Sequence, residues 1–300
     1  MKILNFGSLN VDYVYSVDHF VSAGETLTAA QRSILPGGKG LNQSIALARA
    51  GAAVWHGGSI GPEGAFLKDL LRENGVDVSL TRALDQMQGH AIIQVDPKGE
   101  NCILLYGGTN RLITPEQVDE TLSAFGEGDW LVLQNEINLL DRIVDAAYDR
   151  GMRIVLNPSP YDANLKAVDF SRLAWLLVNE VEACQCSGSD QPEKAWDVLH
   201  AAWPNLSVLI TLGRAGSIAH QVTADGVQTL RQSAFPVSAV DTTAAGDTFT
   251  GYFIGALSQG LSLQECMRRA SMASAISVTR SGAAVSIPRC DEVEAALARL

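Results

Sequence analysis

The sequence predicts an α/β protein: a doubly wound, mostly parallel sheet with a small β-sheet lid. Two observations carry this. Short apolar runs alternate with amphipathic helical stretches through most of the 300 residues, and such alternation implies crossover connections, parallel strands and helices on both faces. Two segments break the alternation with strand-like composition and no helix to cover them.

Ile3–Gly7 is the first strand, and the residues from Asp12 to Leu35 are the first irregular segment. A helix at Leu41–Ala50, a strand at Val54–Ser59 and a helix at Ala65–Asn74 follow. Gly89–Gly107 reads as a hairpin, Ala91–Val95 and Cys102–Tyr106 around the turn Asp96-Pro97-Lys98-Gly99. Alternation resumes with strands at Trp130–Gln134, Arg153–Asn157, Trp175–Val178 and Val208–Leu212, and helices at Leu139–Arg150 and Pro192–Trp203. Long helices close the chain at about Ala245–Gln259 and Leu263–Arg280. The segments at about 12–35 and 89–107 are expected to form the lid. No repeat or linker divides the sequence, so residues 1–300 are expected to make a single domain.

Composition narrows the function. With 47% hydrophobic and 18% charged residues the chain is an ordinary globular protein, and its formal charge of −11 argues against nucleic acid or an anionic membrane as main partner. An anionic ligand then needs local N–H groups, a Lys or a divalent ion. Five cysteines, odd in number and without a C-x-x-C, imply neither a disulfide framework nor a zinc cage. There is no signal-peptide anatomy, and no apolar stretch approaches the roughly 20 residues that span a bilayer. A cytoplasmic protein is expected.

The most informative stretch is Asp241-Thr242-Thr243-Ala244-Ala245-Gly246-Asp247-Thr248-Phe249. Small residues run into a helix start, where unpaired N–H groups hold a phosphate or a developing negative charge. Asp247 sits beside that hole, placed to take a proton from an alcohol. The pattern suits phosphoryl transfer from a nucleotide to a hydroxyl.

Other motifs each admit two readings. Pro36-Gly37-Gly38-Lys39-Gly40-Leu41-Asn42-Gln43 is a glycine turn opening a helix, either structural or allowing close ligand approach, with Lys39 and Asn42 as donors. It matches neither a Walker A loop nor a dinucleotide fingerprint. Asn10 and Asp12 point to one side of an extended segment, as suits a polyol or a polar turn. Asn179 and Glu182 share one face of a helical turn, either holding water on Mg²⁺ or forming a capping box. Thr211-Leu212-Gly213-Arg214-Ala215-Gly216 is a strand and glycine loop, over phosphates or simply a turn. Asn10, Asp12, Glu136 and Asn179 all follow predicted strands, the rim where open parallel sheets bind ligands.

Taken jointly, these motifs resemble the ribokinase group of the PfkB-type carbohydrate kinases over nearly the whole chain. Gly37–Gln43 matches the family's N-terminal glycine signature and Asp241–Asp247 its D-T-x-x-A/G-x-G-D signature; Val278-Thr279-Arg280-Ser281-Gly282-Ala283 is similar to the group's V-T-R-x-G-A. The resemblance implies a ribokinase-like fold and an ATP-dependent kinase making ribose 5-phosphate. The alternatives are a PfkB-type kinase for another pentose, a ketose or a nucleoside, or a sugar-binding regulator without turnover. It makes Asp247 the base and Ala244, Ala245 and Gly246 the anion hole. It assigns sugar contacts to Asn10, Asp12, Gly38, Lys39, Gly40, Asn42, Glu136 and Asp247, and nucleotide contacts to Asn179, Gly246, Thr211, Leu212, Gly213, Arg214, Ala215 and Gly216. Asn179 and Glu182 would serve Mg²⁺ through water. Asp241, Thr243, Ser277, Arg280, Gly282 and Ser286 would hold K⁺, largely by backbone carbonyls.

Two places depart from the family pattern. Gln134-Asn135-Glu136 stands where Q-L-E is common, and Gln88-Gly89-His90-Ala91 where T-G-V-A is common; the bulkier His90, if near the sugar edge, would change which polyol fits. The small sheet, with Val14, Ile92 and Ile103 in alternating segments, is expected to be apolar on one face. A homodimer in which two lids cover each other follows.

Overall fold

The structure, a computed structural model, describes residues 1–300. The large sheet contains β1 (Ile3–Phe6), β4 (Val54–Ile60), β5 (Thr81–Ala83), β8 (Trp130–Gln134), β9 (Arg153–Asn157), β10 (Trp175–Asn179), β11 (Ser207–Thr211), β12 (Ser217–Thr223) and β13 (Gly226–Gln232). A smaller sheet contains β2 (Asn10–Ser16), β3 (Gln31–Gly37), β6 (His90–Val95) and β7 (Asn101–Tyr106). The helices are α1 (Lys39–Arg49), α2 (Ala65–Glu73), α3 (Pro115–Leu122), α4 (Leu140–Tyr148), α5 (Glu180–Ser187), α6 (Pro192–Ala202), α7 (Ala245–Ser258), α8 (Leu263–Ser277) and α9 (Cys290–Leu297).

The large sheet runs β13-β12-β11-β10-β9-β8-β1-β4-β5, parallel from β5 to β11 and antiparallel at β12 and β13. The turn Leu212–Gly216, closed by Leu212 N–H donating to the Gly216 carbonyl (2.8 Å), is too short for a crossover, so β12 must return antiparallel. Successive strand residues face opposite layers. Leu131, Leu133, Ile154, Leu156, Leu176 and Val178 enter one apolar core, completed by α3 to α6. Val132, Val155 and Leu177 enter the other, under α1, α2 and α7 to α9. Both cores bury their strands fully, which is why these strands read as unbroken apolar runs. The sheet is doubly wound, as expected.

The smaller sheet is ordered β3-β2-β6-β7, with β2 and β6 parallel and both outer pairs antiparallel. It begins at Asn10 and ends at Gly37 on one side, slightly outside the expected 12–35, and its second pair lies within 89–107. Registered neighbours share a face. Asp12 therefore sits with Leu35, Ala91 and Leu105, and Val14 with Ile93 and Ile103 on the same side. Ile92 lies on the opposite face with Tyr13, Ile34 and Leu104. Apolar side chains thus occupy both faces rather than one.

One close approach matters for function. α7 crosses α1 at Gly251, where an added Cβ would stand 2.3 Å from the Ala46 Cβ and 2.8 Å from the Leu47 nitrogen. Only a residue without a side chain lets the two helices meet there.

Candidate active site

The crossing of α1 and α7 sets two short helical starts side by side. Asn42, in the first turn of α1, donates its side-chain amide to Oδ2 of Asp247 in the first turn of α7 (3.0 Å). Gln43 donates to the other carboxylate oxygen, Oδ1 (2.9 Å). The chain enters α7 through Ala244, a non-glycine residue in the left-handed region at φ 58°, a strained conformation of the kind concentrated at ligand clamps. Of the first-turn amides, Ala245 donates to the Thr242 carbonyl (3.2 Å), while those of Gly246 and Asp247 have no partner in the chain. Two free donors therefore adjoin one buried carboxylate.

A cleft of about 270 Å³ opens in front of this turn, with Lys39, Asn157, Asn179, Glu182, Thr211 and Asp247 among its lining residues. Lys39 is the only Lys or Arg in its lining. Burial opposes its charge, but Asp247, Glu136 and Glu182 outweigh burial and hold its pKa above the ordinary lysine value. Asn179 and Glu182 make a full capping box: Glu182 N–H donates to Asn179 Oδ1 (2.8 Å) and Asn179 N–H to Glu182 Oε2 (3.1 Å). Both also line the cleft. Of the glycine loop only Thr211 lines the cleft; Leu212, Gly213, Arg214, Ala215 and Gly216 turn outside it. Gly216, at φ 100°, packs on the end of β13, where a Cβ would meet the Gln232 carbonyl at 2.0 Å.

Asn10, Asp12, Gly38, Gly40, Asn42 and Glu136 do not line that cleft. The Asp12 carboxylate makes no hydrogen bond within the chain and rests on Gly37, where a Cβ would stand 2.1 Å from Oδ2. Burial, reinforced by the charge of Glu136, pushes its carboxyl up to about 7. Burial also raises the Glu136 carboxyl against the pull of Lys39. Glu136 Oε2 accepts from Ser8 Oγ and from Lys39 N–H (3.0 Å), and Ser8 Oγ accepts in turn from Gly40 N–H (3.2 Å). Glu136 thereby fixes the glycine turn. Asn10 Oδ1 accepts from Asn110 (2.7 Å), leaving its amide free. Asn42 Oδ1 is buried without a partner.

His90 corrects an expectation. It pairs in register with Val11, not Asp12, and its ring lies between Tyr13 (5.8 Å) and Tyr106 (5.1 Å) on the face opposite Asp12. A one-residue difference in register decides the face. This side chain does not shape the sugar edge.

Behind the α7 start, two loops are tied together by Asp241. Its Oδ1 accepts from Thr243 N–H (2.9 Å) and Thr243 Oγ1 (2.6 Å), and its Oδ2 from Gly282 N–H (2.8 Å). Burial opposes the charge, but these donors hold the carboxyl below its ordinary range. The carbonyls of Asp241, Thr243, Gly282 and Ser286 accept no hydrogen bond within the chain. Ser277 and Ser286 turn their hydroxyls onto the Ser274 and Ala283 carbonyls (2.9 and 2.8 Å), and Arg280 pairs with Glu292. The Arg280 side chain thus faces α9.

The family model of pfkB family carbohydrate kinases matches residues 1–290. The chain belongs to that family. As a pfkB carbohydrate kinase it is a phosphotransferase with an alcohol group as acceptor. A ribokinase of Haemophilus influenzae is 36% identical over 297 residues, covering 95% of each chain. The crystal structure of a ribokinase from Thermotoga maritima matches at TM-score 0.87 and 33% identity, covering 99% of each chain. That of Arabidopsis thaliana ribokinase complexed with ribose and ATP matches at TM-score 0.87 and 27% identity, covering 98% of each.

In this pfkB kinase, sequence reasoning missed Ser8, Gln43, Asn110 and Asn157. Ser8 and Asn110 hold Glu136 and Asn10; Gln43 and Asn157 meet at 3.3 Å beside Asp247. Only Gln43 carried a signal, since it closes the glycine signature.

Proposed function

We propose that the chain transfers the γ-phosphoryl group of ATP to the 5-hydroxyl of ribose, with Asp247 as the base. One observation supports this reading: the free amides of Gly246 and Asp247 adjoin the Asp247 carboxylate in the lining of the cleft. Asp12 and Asn42 Oδ1 accept sugar hydroxyls, and the Asn10 amide donates. Asp247 takes the hydroxyl proton as the phosphoryl group arrives from the cleft. The free amides and Lys39 stabilise the charge that spreads over the transferring oxygens. Positioning and electrostatics supply most of the acceleration, and the base about 10²–10⁴-fold. With its base and anion hole intact, the chain is a working kinase rather than a regulator.

The donor set fits Mg²⁺ held through water. Glu182 Oε1 makes no hydrogen bond within the chain and Glu182 lines the cleft, with Asn179 at its side. When bound, the ion neutralises the phosphate oxygens. The free carbonyls of Asp241, Thr243, Gly282 and Ser286 suit a larger monovalent cation such as K⁺, which sets the geometry of the two loops. Thr211 and the loop to Gly216 border the nucleotide. The chain acts as one domain, the smaller sheet serving as its lid. The exposed apolar residues Leu35, Ile103 and Leu105 on the Asp12 face support a homodimer. ATP as co-substrate fits a cytoplasmic setting.

ATP consumption across a panel of ribose, fructose, adenosine and a phosphorylated sugar tests the reading. Ribose is expected to give the highest kcat/KM. A competitor tenfold better would overturn the ribose assignment while leaving the kinase assignment standing.

A further inference from the structure

We propose that Gln43 is a positioning residue for Asp247, its amide nitrogen fixed toward the carboxylate by a buried relay of amides that begins on a backbone carbonyl. The proposal rests on the reading of Asp247 as base. Gln43, Gln134, Asn5, Ser44 and His56 are all fully buried, yet none of them lines the cleft. Five polar side chains hidden together require an account, since each costs free energy unless its partners are supplied.

Orientation propagates from one end of the relay to the other. The Asn5 amide nitrogen donates to the Gly40 carbonyl (2.8 Å) and to Ser44 Oγ (2.8 Å). A carbonyl only accepts, so Asn5 cannot flip, and Asn5 Oδ1 must face Gln134. Gln134 Nε2 donates to Asn5 Oδ1 (2.9 Å) and to Gln43 Oε1 (2.7 Å). With its oxygen so engaged, Gln43 presents Nε2 to Asp247 Oδ1 (2.9 Å). A second anchor agrees: Asn157 donates to the Leu177 carbonyl (2.9 Å), which turns Asn157 Oδ1 toward the same Gln43 nitrogen (3.3 Å). At the far end Ser44 meets His56 Nδ1 (2.8 Å). Burial pushes the His56 ring down to about 3, so that end stays neutral at working pH.

The consequence for the base is specific. Asn42 holds Oδ2 and Gln43 holds Oδ1, so the carboxylate cannot rotate about its own bond. The other charges facing Asp247 are Lys39 and Glu136, and neither touches the relay through a side-chain hydrogen bond. Loss of the Gln43 donor should therefore impair the proton-accepting step and leave the sugar contacts in place.

The test is Gln43→Met, which keeps length and removes both the donor and the acceptor. Expected are a fall in kcat of about 10–100-fold and a ribose KM within about twofold. Gln134→Met is the second arm should Gln43→Met not fold. It leaves Gln43 present but removes the donor to its Oε1, so that only Asp247 and Asn157 hold its nitrogen, and a smaller loss of kcat with KM unchanged is expected. Unchanged kcat in folded Gln43→Met, or a loss carried by KM alone in either folded variant, would overturn the proposal. Asp247→Asn separates the two ideas. If it is inactive while folded Gln43→Met is unaffected, the relay fails alone; if it turns over normally, the base reading fails with it.

Discussion

Asn42 and Asp247 are 205 positions apart in sequence and 3.0 Å apart in space, joined by a single side-chain hydrogen bond. The bond ties the glycine turn at the start of α1 to the small-residue turn at the start of α7. Neither turn is a site by itself. Together they set a carboxylate, two free amides and an orphan amide oxygen at one point. The contact depends on how closely α1 and α7 cross, and Gly251 sets that distance.

Gly251→Ala should therefore damage both fold and activity. The new Cβ would overlap Ala46 and the Leu47 backbone, neither of which is a flexible tip. Overpacking of this kind costs about 1–3 kcal/mol, of which the helix preference of Ala over Gly recovers about 0.8–1 kcal/mol. A lower Tm with kcat reduced about tenfold is expected. A variant with normal turnover would show that the helix spacing does not set the Asn42–Asp247 contact.

Sugar affinity should rise with pH. Below about 7 the ligand-free Asp12 carboxyl is protonated, a form in which one oxygen donates instead of accepting and the charge that strengthens bonds from hydroxyls is gone. Ribose binding then releases a proton, and affinity should improve about tenfold between pH 6 and pH 8. For stability the sign is opposite. A raised carboxyl pKa contributes stability that is complete below about 4 and is lost as pH climbs through about 7. Calorimetry in two buffers of different ionisation enthalpy checks the proton release, and Asp12→Asn should abolish it. Flat affinity over this range would contradict the role of Asp12.

Potassium should activate. The loops bound by the Asp241–Gly282 contact border the turn that carries the free amides, so an ion on their carbonyls acts on turnover or sugar affinity without touching substrate. Rates in potassium are expected to exceed those in tetramethylammonium. Equal rates would count against the site.

Sedimentation should show a dimer at micromolar concentration. Ile103 is 52% and Leu105 49% exposed on the Asp12 face of β7, and a sheet of this size gains from a covering layer. A monomer with full activity would remove the paired-lid arrangement.

The layered sheet and its rim were legible because buried parallel strands read as apolar runs, and Asn10, Glu136 and Asn179 each follow one. The antiparallel edge was not legible: β13 is mostly exposed and polar, without the alternation that marks a half-buried strand. Of α5 only the capped first turn at Asn179–Glu182 was legible, because the helix sequence, Glu-Val-Glu-Ala-Cys-Gln-Cys-Ser, lacks an apolar stripe. His90 was misplaced because a hairpin's composition leaves open which residue of the neighbouring strand it meets. Ser8, Gln134 and Asn157 look like ordinary polar residues at strand ends. Their work lies in long-range hydrogen bonds, which sequence spacing does not encode.

The central claim is that Asp247 removes the hydroxyl proton, and kcat of Asp247→Asn measured beside its Tm tests it most directly. The amide keeps the size of the carboxylate and still bonds a hydroxyl, but it cannot accept the proton. Turnover should fall roughly 10²–10⁴-fold, about 3–5 kcal/mol of transition-state free energy, with ribose binding largely retained. A carboxylate that served only the helix dipole would instead shift stability by about 0.3–1 kcal/mol and spare the rate. A folded variant keeping more than about a tenth of normal kcat would contradict the account.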